Sequence, residues 1–196
     1  MKNILTILFS LILISSYSQD YTSPFDFTTF LSGTFGELRD EHFHTGIDIK
    51  TESVEGKEIH AIANGYIERI KVSTWGYGRV LYIVHPQTGH TSVYAHMLKF
   101  NDNIEEIIQK QQYKKESFEI NFYPIKNSIL VKKGDVIGLS GNSGQSGGPH
   151  LHFEIRDTET EYPLNPLAYG FEFKDNIQPV ITELKIYAHE NSLINN

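Results

Sequence analysis

The chain has 196 residues, a formal net charge of −7 and no cysteine. The acidic balance argues against nucleic acid or an anionic lipid surface as partner. Without cysteine there are no disulfides, so stability must come from a core, or from a core plus a metal, and the length suffices for one domain with a sizeable core.

In chain order, the first element is an export signal. Lys2 precedes an apolar run from Ile4 to Ile14 and a small-residue exit at Ser16-Tyr17-Ser18, which predicts a secretory signal peptide over residues 1–18. The run is shorter than the ~20 residues that span a bilayer. Cleavage after Ser18 would leave a mature chain with no membrane span and, lacking cysteine there, no lipid anchor. The predicted location is periplasmic, cell-envelope or extracellular.

Residues 19–32 form a lead-in to a body that reads as β from 33 to 173. Glu58–Ala63, Gly65–Val72, Val80–His85 and Thr91–His96 alternate apolar and polar residues, and Asn64-Gly65, Gly76-Tyr77-Gly78, Pro86–Gly89 and Lys133-Gly134-Asp135 supply turns. Many short strands with regular turns predict a mainly β, antiparallel sandwich or barrel-like fold. One segment departs from this. Asn101 through Lys115 carries Ile104, Ile107 and Ile108 at helical spacing behind Asn101 and Asp102 as N-caps, predicting a short surface helix within an insertion at 101–127. Its expected role is to cover a sheet edge, or else to wall a groove. In the C-terminal segment 174–196, Val180, Thr182, Leu184 and Ile186 would share one strand face, as if a further domain began there.

Four of the nine histidines, with one aspartate, fall into three clusters: His44-Thr45-Gly46-Ile47-Asp48, Tyr94-Ala95-His96, and Pro149-His150-Leu151-His152-Phe153-Glu154. In the third, Leu151, Phe153 and Ile155 alternate with His150, His152 and Glu154, so on a strand the apolar trio faces the core and the polar trio the other side. The two imidazoles sit about 7 Å apart at Cα, close enough for both to approach one metal, or for one to bind while the other meets substrate. Glu154 is either an orienting partner of an imidazole or a solvated carboxylate. On a straight strand His44 and Asp48 would be ~13 Å apart, too far to share an ion with bonds of ~2 Å. The chain must therefore bend between them, and Gly46 permits it. Two histidines and a carboxylate form a nitrogen/oxygen set of the kind that holds catalytic zinc, with the fourth position left to water.

The glycine-serine run 138–148 lacks the Gly-Lys-Ser/Thr ending of a phosphate loop. It reads as a loop approaching the site or a plain flexible turn. His60, His85, His90 and His189 have no partnered motif, and His42 is assigned to the surface.

From about Gly33 to Phe171 the chain resembles the lysostaphin/LytM-type zinc metalloendopeptidases, which cut peptide bonds in bacterial peptidoglycan. The resemblance rests on His44–Ile49, Ala61–Ile67, Gly76–Arg79, Tyr94–Met97, Val131–Gly138, Ser140–Gly144, Gly148–Arg156 and Asn165-Pro166. It implies a LytM-like barrel-sandwich hybrid fold, one Zn2+ ion held by His44, Asp48 and His152, and His96 and His150 lining the site without ligating. It also implies a peptidoglycan peptide as substrate for a monomeric enzyme. The spacing argument leaves His150 and His152 equivalent; the resemblance alone separates them. Two features depart from the family pattern: the long insertion, and the Arg39 and Phe43 surround of the first histidine. Val131–Gly138 also resembles biotinyl and lipoyl carrier barrels, but no exposed lysine hairpin accompanies it. The rival reading is a non-catalytic cell-wall binder or an activator of another hydrolase.

Overall fold

The structure, a computed structural model, describes residues 21–39, 42–174 and 180–181. The leader at 1–18 and most of the strand expected at 180–187 lie outside the described residues. In chain order the strands are Leu31–Gly33 (β1), Ile47–Lys50 (β2), Glu58–His60 (β3), Gly65–Val72 (β4), Arg79–His85 (β5), His90–Ala95 (β6) and Lys99–Phe100 (β7). After the helix Asp102–Lys115 (α1) come Ile120–Phe122 (β8), Leu130–Val131 (β9), Val136–Leu139 (β10), His150–Asp157 (β11) and Pro163–Leu164 (β12), then a 3₁₀ turn at Pro166–Tyr169. Among the described residues no helix is long and apolar enough to cross a membrane.

The strands form two antiparallel sheets. The large one runs β1-β2-β11-β6-β5-β4-β8, with β12 beside β11 and β9 beside β4; the small one runs β3-β10-β7. The large sheet stays open, so the barrel-like expectation resolves to a sandwich. Between the sheets lies the main core, where Ile47, Ile49, Tyr94, Leu151 and Phe153 meet Ile59, Phe100 and Ile137. Period-2 alternation turns the intervening residues to the opposite face of the large sheet. There Val80, Tyr82, Val93 and Ala95 make a second, smaller apolar cluster with Tyr77 packed against it. This outer face carries His96, His150 and His152, whose rings meet there.

The helix forms where it was expected. The Asn101 side chain accepts from Ile104 N at 3.1 Å, and Ile104 and Ile108 are buried, each stabilising by about 1.5–3 kcal/mol. The helix ends as Glu116 turns left-handed (φ 49°), and β8 then pairs with β4 from Val72↔Ile120 to Ile70↔Phe122. The insertion therefore extends and covers one edge of the large sheet. No residue of α1 lines the site cavity described below.

Candidate metal centre

Strand register builds the site. β11 pairs with β2 and β6 so that Asp48, His152 and Ala95 form one row across the sheet. Residues directly opposite on one face are near neighbours, which brings residues 104 positions apart together. His44 enters from the turn before β2. The chain bends at Gly46, as the spacing required. The glycine is needed for a further reason: a Cβ there would lie 2.3 Å from Phe153 O, so Gly46 is what allows the bend to close onto β11.

His44 Nε2 lies 3.0 Å from His152 Nδ1 and 3.1 Å from Asp48 Oδ1, and His152 Nδ1 lies 3.0 Å from the same Oδ1. All three residues are buried. The far nitrogens are engaged: His44 Nδ1 lies 2.8 Å from Thr34 O and His152 Nε2 lies 2.8 Å from Glu154 Oε1. Each far nitrogen faces an acceptor, so it carries the hydrogen and donates. Two imidazole lone pairs and an anionic oxygen are then left converging on one point. Such a trio needs a cation between its members. Donors on a tetrahedral metal ion with bonds of about 2.0–2.1 Å are about 3.3 Å apart, close to the separations here, so the residues fit a metal. Among the described residues, His44, Asp48 and His152 form a group whose ligand atoms all lie within 4.8 Å of one another. Without a metal, a proton serves instead. Burial pulls the His152 imidazole down, but hydrogen bonds to Asp48 and Glu154 overcome this and push it up to about 9. Burial likewise pushes the Asp48 carboxyl up, and the three imidazoles gathered on it, His150, His152 and His44, reverse this, holding it far below the usual carboxylate range.

Around this trio sits a supporting shell that sequence reasoning saw only in part. Glu154 is fully buried, which removes the solvated alternative. Its Oε1 accepts from Thr45 Oγ1 at 2.7 Å, from the Tyr77 hydroxyl and from His152; its Oε2 accepts from Arg156 Nε at 2.6 Å. Burial raises this carboxyl, but His152 and Arg156 bring it down to about 2. Arg39 Nη2 donates to Asp48 Oδ2 at 2.8 Å and also reaches Glu37. Phe43, by contrast, is 67% exposed. Tyr77 stood in a glycine turn and in the family-like stretch Gly76–Arg79 with no role assigned to it, yet its ring lies 5.0 Å from that of His152.

His96 and His150 complete the site. By alternation His96 would follow Tyr94 into the core. Instead its backbone is left-handed (φ 59°), which redirects the ring to the outer face. Its Nδ1 donates to Ser143 O at 2.8 Å, and its ring stands 4.8 Å from that of His150. Burial draws the His96 imidazole down to about 4, so it is neutral near pH 7. His150 Nδ1 donates to Gly148 O at 2.8 Å, and its Nε2 stands 3.5 Å from Asp48 Oδ1. The geometry thus places His152, not His150, with His44 and Asp48.

The glycine-serine run is a wall of the site rather than a plain turn. Gly144 (φ 73°) packs on the 76–78 turn so closely that a Cβ would lie 2.3 Å from Gly76 O. Ser143 Oγ accepts from Arg79 N at 2.9 Å and donates to Met97 O at 2.8 Å, tying His96 to both loops. The whole borders a cavity of about 680 Å³ lined also by Trp75, Gln145 and His42, so His42 is exposed but touches the rim. His85 and His90 lie apart, His85 between Asn64 O and Ser92 Oγ and His90 against Tyr21. His60 contacts Gly134 O, and His189 lies outside the described residues.

The family model of peptidase family M23 matches residues 42–114 and 118–166, more than half of the chain. The chain belongs to peptidase family M23. This M23 chain is 33% identical over 125 residues to the DD-carboxypeptidase/endopeptidase Mpg of Neisseria meningitidis, covering 64% of the chain and 22% of Mpg. It is 28% identical over 111 residues to lysostaphin of Staphylococcus simulans, covering 57% of the chain and 17% of lysostaphin. The match thus spans about a fifth of the length of these curated relatives. Its fold resembles the catalytic domain of the prophage-encoded M23 protein EnpA from Enterococcus faecalis, with a TM-score of 0.55 at 24% identity, over 77% of this chain and 98% of that one.

Proposed function

We propose that this M23 chain is a zinc-dependent endopeptidase that hydrolyses peptide bonds in bacterial peptidoglycan, working outside the cytoplasm as an exported monomer. The observation that carries the reading is the convergence of His44 Nε2, Asp48 Oδ1 and His152 Nδ1 on one point, each held from behind by its own partner. Two imidazoles and one carboxylate would hold one zinc ion and leave its fourth position open. When bound, zinc supplies a Lewis acid that polarises the peptide carbonyl and brings water toward ionisation near neutral pH.

The chain's own groups supply the rest. Peptide hydrolysis needs a base for the attacking water and an acid for the departing amine. His96 and His150 both spend Nδ1 on a backbone carbonyl, which leaves each Nε2 as the working atom. A neutral Nε2 accepts the proton from water and then returns it to the amine. The same N–H stabilises negative charge on the carbonyl oxygen in between. Glu154, through His152, and Arg39, through Asp48, hold the metal-binding atoms in orientation.

The test is to incubate the purified chain with defined cross-linked muropeptides, with and without chelator, and to measure its zinc content. The expected result is about one zinc per chain, cleavage of a peptide bond, and loss of cleavage with chelator that zinc restores. A non-catalytic wall binder would retain the muropeptides uncut and need no zinc. That outcome would overturn the reading.

A further inference from the structure

Resting on that reading, we infer that Lys50 forms a carboxylate-binding subsite beside the metal centre, so that the preferred substrates carry a free carboxylate one or two residues from the scissile bond. The three metal-binding residues line one cavity, and Asp48 among them also lines a second. The first holds Trp75, Tyr77 and His96; the second, of about 380 Å³, is reached past Arg39, Asp48 and His150 and contains Lys50. Lys50 is placed there by register. It is the residue of β2 opposite His150, as Asp48 is opposite His152. Strand alternation sends Ile47 and Ile49 into the core and turns Asp48 and Lys50 to the outer face. The Lys50 backbone therefore stands about 7 Å along the strand from that of Asp48, the length of roughly two extended peptide residues.

The charges in this cavity make Lys50 the one left over. Arg39 is committed to Asp48 and Glu37, and Glu52 to Lys57. Lys50 has no ion-pair partner among the described residues and is exposed. An uncompensated, exposed ammonium lining this cavity, in a chain of net charge −7, attracts an anion that the rest of the surface repels. Gly147, Gly148 and Pro149, which also line this cavity, bring no acid to it. A peptide extending from the metal into this cavity brings the carboxylate of its next or second residue to the lysine, whether that group is a chain end or a side chain.

The test uses a pair of fluorescein-labelled muropeptides that differ only in whether their free carboxylates are amidated. Binding to the zinc-loaded chain is measured by anisotropy and cleavage by chromatography, for the natural chain and for Lys50→Ala and Lys50→Glu. The natural chain should prefer the free acid by about tenfold in Kd and in kcat/KM, the scale of one charge-assisted hydrogen bond. Lys50→Ala should abolish that preference and Lys50→Glu should reverse it, with zinc content held at one per chain in all three. A preference that survives both substitutions, or no preference in the natural chain, overturns the subsite. Because binding is read separately, cleavage without preference would sink the subsite alone, whereas binding preference without any cleavage would sink the endopeptidase reading alone.

Discussion

Glu154→Gln separates an orienting carboxylate from a merely buried one. The side chain is fully buried and takes four hydrogen bonds, from His152 Nε2, Thr45 Oγ1 and Tyr77 on Oε1 and from Arg156 Nε on Oε2. An amide keeps the shape but turns one acceptor oxygen into a donor. At the Oε2 position its NH2 meets the Arg156 N–H; at Oε1 it meets three donors. At least one charge-assisted hydrogen bond is lost, about 1.5–3 kcal/mol. The Arg156 side chain, only 18% exposed, is also left without its anion, which brings the total to about 3–5 kcal/mol. The same change replaces the anionic acceptor behind His152 Nε2 with a neutral amide, which holds the hydrogen on that nitrogen and orients the ring more weakly, so zinc affinity should fall about 10–100-fold. Urea unfolding at saturating zinc reads the first effect, and competition against a chromophoric chelator reads the second. Thr45→Val removes a single donor to the same oxygen and should cost about 1 kcal/mol while sparing zinc affinity. If Glu154→Gln bound zinc as tightly as the natural chain, the orienting role would be refuted.

Among the histidines, His44→Ala, Asp48→Ala and His152→Ala should each lose zinc by elemental analysis, whereas His96→Ala and His150→Ala should retain it and lose cleavage; retention of stoichiometric zinc by His152→Ala would refute the ligand set. Acid stability tests a different histidine. Burial holds the His85 imidazole below its ordinary value of 6.5, against the pull of the Asn64 carbonyl. The unfolded chain therefore binds this proton first, and the stability that neutral His85 contributes is present above pH 6.5 and lost as pH falls below it. His85→Gln should flatten the acid limb of stability in urea titrations below pH 6.5, and an unchanged limb would show that His85 does not control it.

Local pattern made some features legible. The helix was readable because its cap, Asn101, and its buried face, Ile104 and Ile108, lie within two turns of one another. The outward row His150, His152 and Glu154 was readable because a strand alternates whatever it packs against. The need for a bend at Gly46 followed from chain reach alone. The ring of His96 was not readable, because only the left-handed backbone, held where two loops clasp through Gly78 and Gly144, turns it away from the core. Arg39, Tyr77 and Glu154 were missed or left open because their partners come from other elements.

What the sequence determined by itself is the inventory and the faces: a mainly β chain, a capped helix, two imidazoles and a carboxylate on strands that could present them outward, and membership in a family recognisable from those residues. Only the tertiary structure decided which nitrogen of which histidine faces the centre. That choice depends on hydrogen bonds to the Thr34 carbonyl and the Glu154 carboxylate and on the place of Asp48, and for His152 and His44 on a contact between residues 108 positions apart. Alternation is a property of one strand and survives in any neighbourhood. A lone pair's direction is a property of the neighbourhood, and it exists only once the strands have paired.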